Sequence, residues 1–291
     1  MIYYSLPGHG MYGGIKTGAQ FVYHLQNAGI PCVLVTPEGL APQWFDISIP
    51  VISEETCFPS LSAADTMIFS LPFDYERLKA LPSKLIYHCQ GTHPAMIPIC
   101  QDPDILLFSA WPQAENEMRH ISGRETYDTG IAVSDVFFYD GRVKSGKKVA
   151  VMPRRGAEWI QACQQAQPEK IYLTIDGAHE RETAAIMKES SIYLATSVDE
   201  GFGLPALEAM AAGCAVLSVP VRGGMAFLHH GKNASIVPPE QLATEFSQLN
   251  STTAQRYRDY GRVTASQYRM AAQYQKICHL LESRAGEWLC A

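Results

Sequence analysis

The 291-residue chain lacks any apolar run of bilayer-spanning length, any long basic block, any C-x-x-C pair and any low-complexity segment. Each absence removes a class of protein. Without about 20 consecutive apolar residues, no transmembrane helix is expected. With 29 acidic against 23 basic side chains and a net charge of −6, a nucleic-acid backbone is not the expected main partner. The opening M-I-Y-Y-S-L-P has neither the basic flank nor the long apolar core of a signal peptide, and reads as a strand. Cysteines stand at 32, 57, 89, 100, 163, 214, 278 and 290, scattered and mostly inside apolar segments. Reduced, buried thiols in a cytoplasmic protein are the expectation. The histidines, the His229-His230 pair included, show no zinc-ligand spacing. What is plentiful is apolar: 47% of the residues, enough for a substantial core in one large domain or two small ones.

The pattern alternates strand and helix twice. Ile2 to Leu6, Pro31 to Thr36, Thr66 to Leu71, Lys84 to Cys89 and Ile105 to Ser109 read as strands, with a helix from about Thr17 to Asn27. Residues 38 to 64 are Pro- and Ser-rich and carry no clear assignment. Asp140 to Lys148, D-G-R-V-K-S-G-K-K, is polar enough for an interdomain linker. A second alternation follows: strand Val149–Met152, helix Glu158–Ala166, strand Lys170–Ile175 and helix Glu180–Glu189. A short helix is expected after Gly224, and the tail from Thr252 to Ser283 is helical by pattern.

The densest signal is Ser197 to Gly213, S-V-D-E-G-F-G-L-P-A-L-E-A-M-A-A-G. A β-branched run precedes it, good helix formers with Pro205 in the first turn follow, and Gly213 caps the end. A Gly-rich turn therefore joins a strand's carboxyl end to a helix N-terminus. In an open α/β sheet ligands bind there, and the leading N–H groups favour an anion such as phosphate.

Glu200-Gly-Phe-Gly-Leu-Pro-Ala-Leu-Glu208, continuing through E-A-M-A-A-G-C-A-V and Gly223-Gly224, resembles the E-x7-E signature of retaining family 4 glycosyltransferases. The resemblance implies a GT-B fold: two Rossmann-like βαβ domains facing a cleft, with the C-terminal helix crossing back to the first. It divides the chain into 1–140 (acceptor side), 141–265 (nucleotide-sugar side) and a returning helix, 266–291. It further implies that Glu208 accepts from the nucleotide ribose and Glu200 contacts the transferred sugar. The N–H groups of Phe202, Gly203 and Leu204 would face sugar and phosphate oxygens. Arg154 and Arg155 stand where the family holds the diphosphate. The family's following lysine is missing, none occurring before Lys170, and Met225-Ala226-Phe227 replaces its later glutamate. Gly13 and Gly14 belong to the glycine-rich loop after the first strand, a loop longer than a tight turn requires. His93, or less so His88, stands where relatives contact the sugar.

The implied donor is a nucleotide-diphosphate sugar, with no further cofactor and no essential metal. The acceptor could be a glycan, a lipid-linked glycan or a small molecule, and peripheral membrane association stays open. Two other readings compete. Gly8 to Gly13 is literally G-x-G-x-x-G and Glu38 ends the second strand, the fingerprint of an NAD(P)-dependent oxidoreductase. Lys16-Thr17 resembles a Walker A ending, but Ile15 takes the required glycine's place. The missing lysine and glutamate suggest a non-catalytic sugar-nucleotide-binding protein. Asp102-Pro103-Asp104 has the D-x-D form of a metal motif but precedes a strand, so a surface turn is expected.

Overall fold

The computed structural model describes residues 1–198, 200–221 and 226–290; the Gly223-Gly224 pair, Met225 and the short helix expected after Gly224 begin outside the described residues. The chain forms two compact units, one of Met1–Ala132 with Ala271–Ala291, the other of Val133–Met270.

In the first unit, short runs of β-branched and apolar residues alternate with helices, which forces parallel pairing through crossovers. The strands are β1 (Ile2–Ser5), β2 (Cys32–Thr36), β3 (Val51–Ser53), β4 (Thr66–Phe69), β5 (Lys84–Cys89), β6 (Ile105–Ser109) and β7 (Tyr127–Asp128). Between them run α1 (Gly13–Asn27), α2 (Glu54–Cys57), α3 (Tyr75–Lys79), α4 (Ile97–Gln101) and α5 (Pro112–Ser122). The sheet order is β3-β2-β1-β4-β5-β6-β7, all parallel, so the direction of winding reverses between β1 and β4. Tyr4, Phe21, Leu25, Leu34, Ile68, Ile86 and Phe108 fill its core.

Helix α1 starts at Gly13, four residues before the expected Thr17. The glycines expected in a long loop are instead a contact surface. A Cβ on Gly14 would lie 2.7 Å from the Gln90 side-chain oxygen, and one on Gly18 2.7 Å from the Tyr4 ring and 2.9 Å from Leu6. Close approach of the helix to β1 selects glycine here, not backbone freedom.

Beneath α1 a polar chain is buried. Gln90 donates to the Tyr4 hydroxyl (2.9 Å), and Tyr4 donates to His88 Nδ1 (2.8 Å). His88 Nε2 donates to Thr129 Oγ1 (2.8 Å), which donates to the Ser109 carbonyl (2.9 Å). Every donor has its acceptor only if His88 is neutral, and burial lowers its pKa from 6.5 to about 3. A histidine held neutral in the fold contributes stability that is complete above the unfolded-state value and is lost as pH falls below it. Burial also lowers His24, to about 4. Unfolding free energy should therefore drop between pH 6.5 and 4.5, with His88 accounting for about 2–3 kcal/mol. Urea midpoints that stay level over that window would disprove this; in His88→Asn the slope should be shallower.

The second unit repeats the plan with β8 (Ser145–Val151), α6 (Ala157–Ala166), β9 (Ile171–Thr174), α7 (Glu180–Glu189), β10 (Ser190–Ala195), α8 (Leu204–Ala211), β11 (Ala215–Ser218), β12 (Ala234–Ile236), α9 (Leu242–Gln248) and α10 (Ser251–Ser266). Its sheet, β12-β11-β10-β8-β9, is again parallel. The helices α11 (Met270–Leu281) and α12 (Gly286–Leu289) close the chain, and Ile277, Leu280 and Leu289 join the first unit's core.

The stretch 140–148, expected as a free linker, is built into the second unit. The Tyr139 N–H donates to the Ala211 carbonyl (2.9 Å), and Lys144 Nζ donates to the carbonyls of Met187 (2.9 Å) and Ser190 (2.6 Å). Buried carbonyls need donors, and a lysine stem can bring one through apolar surroundings. The change of unit accordingly falls at 132/133. No described helix is long and apolar enough to cross a membrane.

Candidate functional site

In the second unit the winding also reverses, here between β8 and β10: the chain leaves β8 for β9 on one side, and β10 for β11 on the other. The two turns leaving the carboxyl ends of β8 and β10 therefore lie side by side, the position where open α/β sheets bind ligands. After β8 comes Met152-Pro-Arg-Arg-Gly156, leading into α6. After β10 comes the segment from Thr196 to Gly203, leading into α8. Two turns far apart in sequence become neighbours by topology alone.

The neighbourhood is specific. Arg155 Nη1 lies 3.5 Å from Glu200 Oε1, and Thr196 Oγ1 donates to the Arg155 carbonyl at 2.9 Å. Gly156 adopts φ +76°, and a Cβ there would lie 2.4 Å from the Thr196 carbonyl oxygen. Arg154 and Arg155 are exposed, Glu200 is partly exposed and Glu208 is buried on α8. Tyr193, buried on β10, has its phenol pushed well up, first by burial and then by the charges of Glu200 and Glu208. Both carboxylates thus bear on the end of one strand. Ser197 Oγ is buried without a hydrogen-bond partner.

Gly203 takes φ +83° and Pro205 sits in the first turn of α8, so the leading N–H groups, Leu204 among them, are set at a helix N-terminus. Phe202 is anchored, its ring 5.2 Å from Phe227 and 6.2 Å from Tyr268. Its ring belongs to the core and only its backbone remains for a ligand.

In the first unit, Gly13 and Gly14 open α1 after β1, in helical rather than loop conformation. His93 follows β5, exposed; its Nδ1 accepts from the Ala95 N–H (3.0 Å) and its ring stands edge-on to Phe73 at 5.2 Å. His88 has both nitrogens engaged in the core and offers no face to a ligand. Glu38, the ribose-binding acid of the oxidoreductase reading, lies exposed with Oε2 3.9 Å from His9 Nδ1. Asp102 accepts from Lys79 Nζ (2.7 Å) and the Tyr75 hydroxyl (2.6 Å), a structural role. Among the described residues, no three or more His, Cys, Asp or Glu are grouped to hold a metal ion.

Sequence reasoning does not single out Gly156, Tyr193, Thr196 or Ser197. Only Gly156 carries a signal that could have found it: a glycine between two arginines and a helix start.

Residues 148–251 match the family model described as Glycosyl transferases group 1. The matched region contains Arg154, Arg155, Thr196 and both motif glutamates. A GtfA subunit of Streptococcus agalactiae, a UDP-N-acetylglucosamine--peptide N-acetylglucosaminyltransferase, is 29% identical over 75 residues. That alignment covers 23% of this chain and 15% of the relative, so most of the relative's length has no counterpart here. Among solved structures, Anabaena HepE in complex with UDP and glucose superposes with a TM-score of 0.75 at 13% identity, covering 97% of this chain and 99% of that one. Sucrose-phosphate synthase from Thermosynechococcus elongatus gives 0.70 at 14%, covering 97% and 98%. S. aureus TarM gives 0.60 at 12%, covering 76% of this chain and 56% of its own. The fold is GT-B.

Proposed function

We propose that the chain is a glycosyltransferase that takes its sugar from a nucleoside-diphosphate donor bound at the β8/β10 switch point of the second unit, with retention at the anomeric carbon. The observation that carries the proposal is the meeting of the Arg154-Arg155 turn with the Glu200 turn, within ion-pair distance and inside the segment that matches the group 1 family. A departing nucleoside diphosphate gains negative charge as the glycosidic bond breaks. Arginines and helix N–H groups at that point stabilise the charge most where it is greatest, in the transition state. Glu208, buried one turn into α8, is assigned to the ribose hydroxyls, and Glu200, held by Arg155, to the sugar. Relatives whose names carry UDP make uridine the first base to test.

No carboxylate is assigned beneath the anomeric carbon, and Glu200 is engaged with the leaving-group cation. The acceptor therefore attacks from the leaving-group side and the diphosphate takes its proton, which is the basis for retention. The reaction so drawn needs neither a metal nor a redox cofactor.

Glu208→Ala should weaken UDP binding by about 1–3 kcal/mol, the weight of a hydrogen bond to a charged group. Isothermal titration calorimetry on the folded variant decides this, and unchanged affinity removes Glu208 from the site. A thermal-shift screen of UDP, ADP, GDP and NAD on the wild type tests the wider proposal. Stabilisation by NAD alone would return the oxidoreductase reading.

A further inference from the structure

We infer that Thr196 is the positioning residue of the donor site, the latch that sets Arg155 for its work. This rests on the proposed donor site and adds a residue that touches no ligand. Thr196 leaves β10, is 3% exposed, and grips the neighbouring turn in two ways. Its hydroxyl donates to the Arg155 carbonyl at 2.9 Å. Its own carbonyl oxygen closes on the Cα of Gly156, where a Cβ would lie only 2.4 Å away.

The two contacts bracket the peptide linking Arg155 to Gly156. Fixing that peptide plane sets ψ of Arg155 and φ of Gly156, here +76°. Those angles determine how the Arg155 side chain leaves the backbone, and its guanidinium then reaches Glu200 at 3.5 Å. Threonine suits the task because its β-branch restricts χ1, so a buried hydroxyl is held in one direction. The hydroxyl also satisfies a carbonyl that the start of α6 leaves without a helical donor. A hydrogen bond between two turns at a switch point thus couples the diphosphate-binding arginine to the strand that carries the Glu200 turn. If the contact served only to hold the fold together, its loss would weaken both turns regardless of what stands at 155.

The test is a double-mutant cycle with two readouts, UDP affinity by calorimetry and kcat/KM for UDP-sugar consumption. Thr196→Val, which keeps the branch and removes the donor, should lower each by about fivefold to tenfold in the wild-type background, the weight of one hydrogen bond. Thr196→Ser should restore most of the loss. In the Arg155→Ala background Thr196→Val should change neither readout by more than about twofold, because a residue acting through Arg155 has nothing left to position. Equal losses in both backgrounds would overturn the inference in favour of a purely structural contact, and so would an unaffected Thr196→Val single variant. Where Arg155→Ala activity is too low to measure, the affinity arm decides. Absence of UDP binding in the wild type is a different result: it removes the donor site itself.

Discussion

Gly156→Ala is expected to lose about 2–4 kcal/mol of second-unit stability and to abolish donor binding, the largest structural effect of any single methyl group in the site. Two costs combine. An L-residue at φ +76° pays about 1–2 kcal/mol for the left-handed region. The new Cβ would also lie 2.4 Å from the Thr196 carbonyl oxygen, a backbone atom that cannot swing aside as a side-chain end could. Relief requires the turns after β8 and β10 to separate, which takes Arg155 away from Glu200. Gly177→Ala supplies the control. Gly177 also has positive φ, +63°, but nothing lies within 4 Å of the position its Cβ would take. It should show the conformational cost alone. Thermal unfolding of the two variants side by side, with UDP titration of each, separates strain from collision. Equal melting points would show that the turns part without resistance.

Arg155→Ala should reduce turnover by about 10² to 10³, the effect of removing one preorganised donor from a developing anion. Glu200→Gln should also lose turnover while keeping most of its affinity for free UDP, since a group that meets the sugar matters when the sugar is transferred. The two are linked by their ion pair, so their effects should be strongly non-additive. His93→Ala should cost less than Arg155→Ala. Its imidazole caps a surface turn through the Ala95 N–H and packs against the exposed Phe73, and neither contact places a charge near the departing diphosphate. Product analysis completes the test: proton NMR of the first-formed glycoside should show the donor's anomeric configuration. An inverted product would defeat both the assigned roles and the retaining mechanism, because an opposite-face attack needs a base that these residues do not supply.

Much of the fold is legible in the amino-acid pattern alone. The apolar runs at β1, β2, β4, β5 and β6 form strands where the pattern places them, because strands covered on both faces must be apolar throughout. Helix α7 and the turn into α8 are equally plain, one from its amphipathic pattern, the other from Gly203 and Pro205 at its entrance. The start of α1 is not. Glycine reads as a helix breaker locally, and Gly14 and Gly18 are explained only by Gln90, Tyr4 and Leu6 pressing on the helix. The stretch from 140 to 148 misleads for a similar reason. Its polarity signals a solvated linker, whereas Lys144 spends its charge on the Met187 and Ser190 carbonyls. His88 has the sequence position of a site residue, yet both of its nitrogens are engaged in the core.

The sequence by itself determined the alternation of elements, the glycine-rich turn between β10 and α8, and the residue types available to hold an anion. These depend on periodicity, backbone freedom and charge, which are local properties. Only the tertiary structure decided that the Arg155 turn and the Glu200 turn are neighbours. That proximity comes from strand order, with β10 crossing over β9 to pair with β8, and strand order is set by the packing of whole helices on a sheet. The same crossing brought Thr196 against Gly156, a contact between distant residues that neither stretch encodes alone.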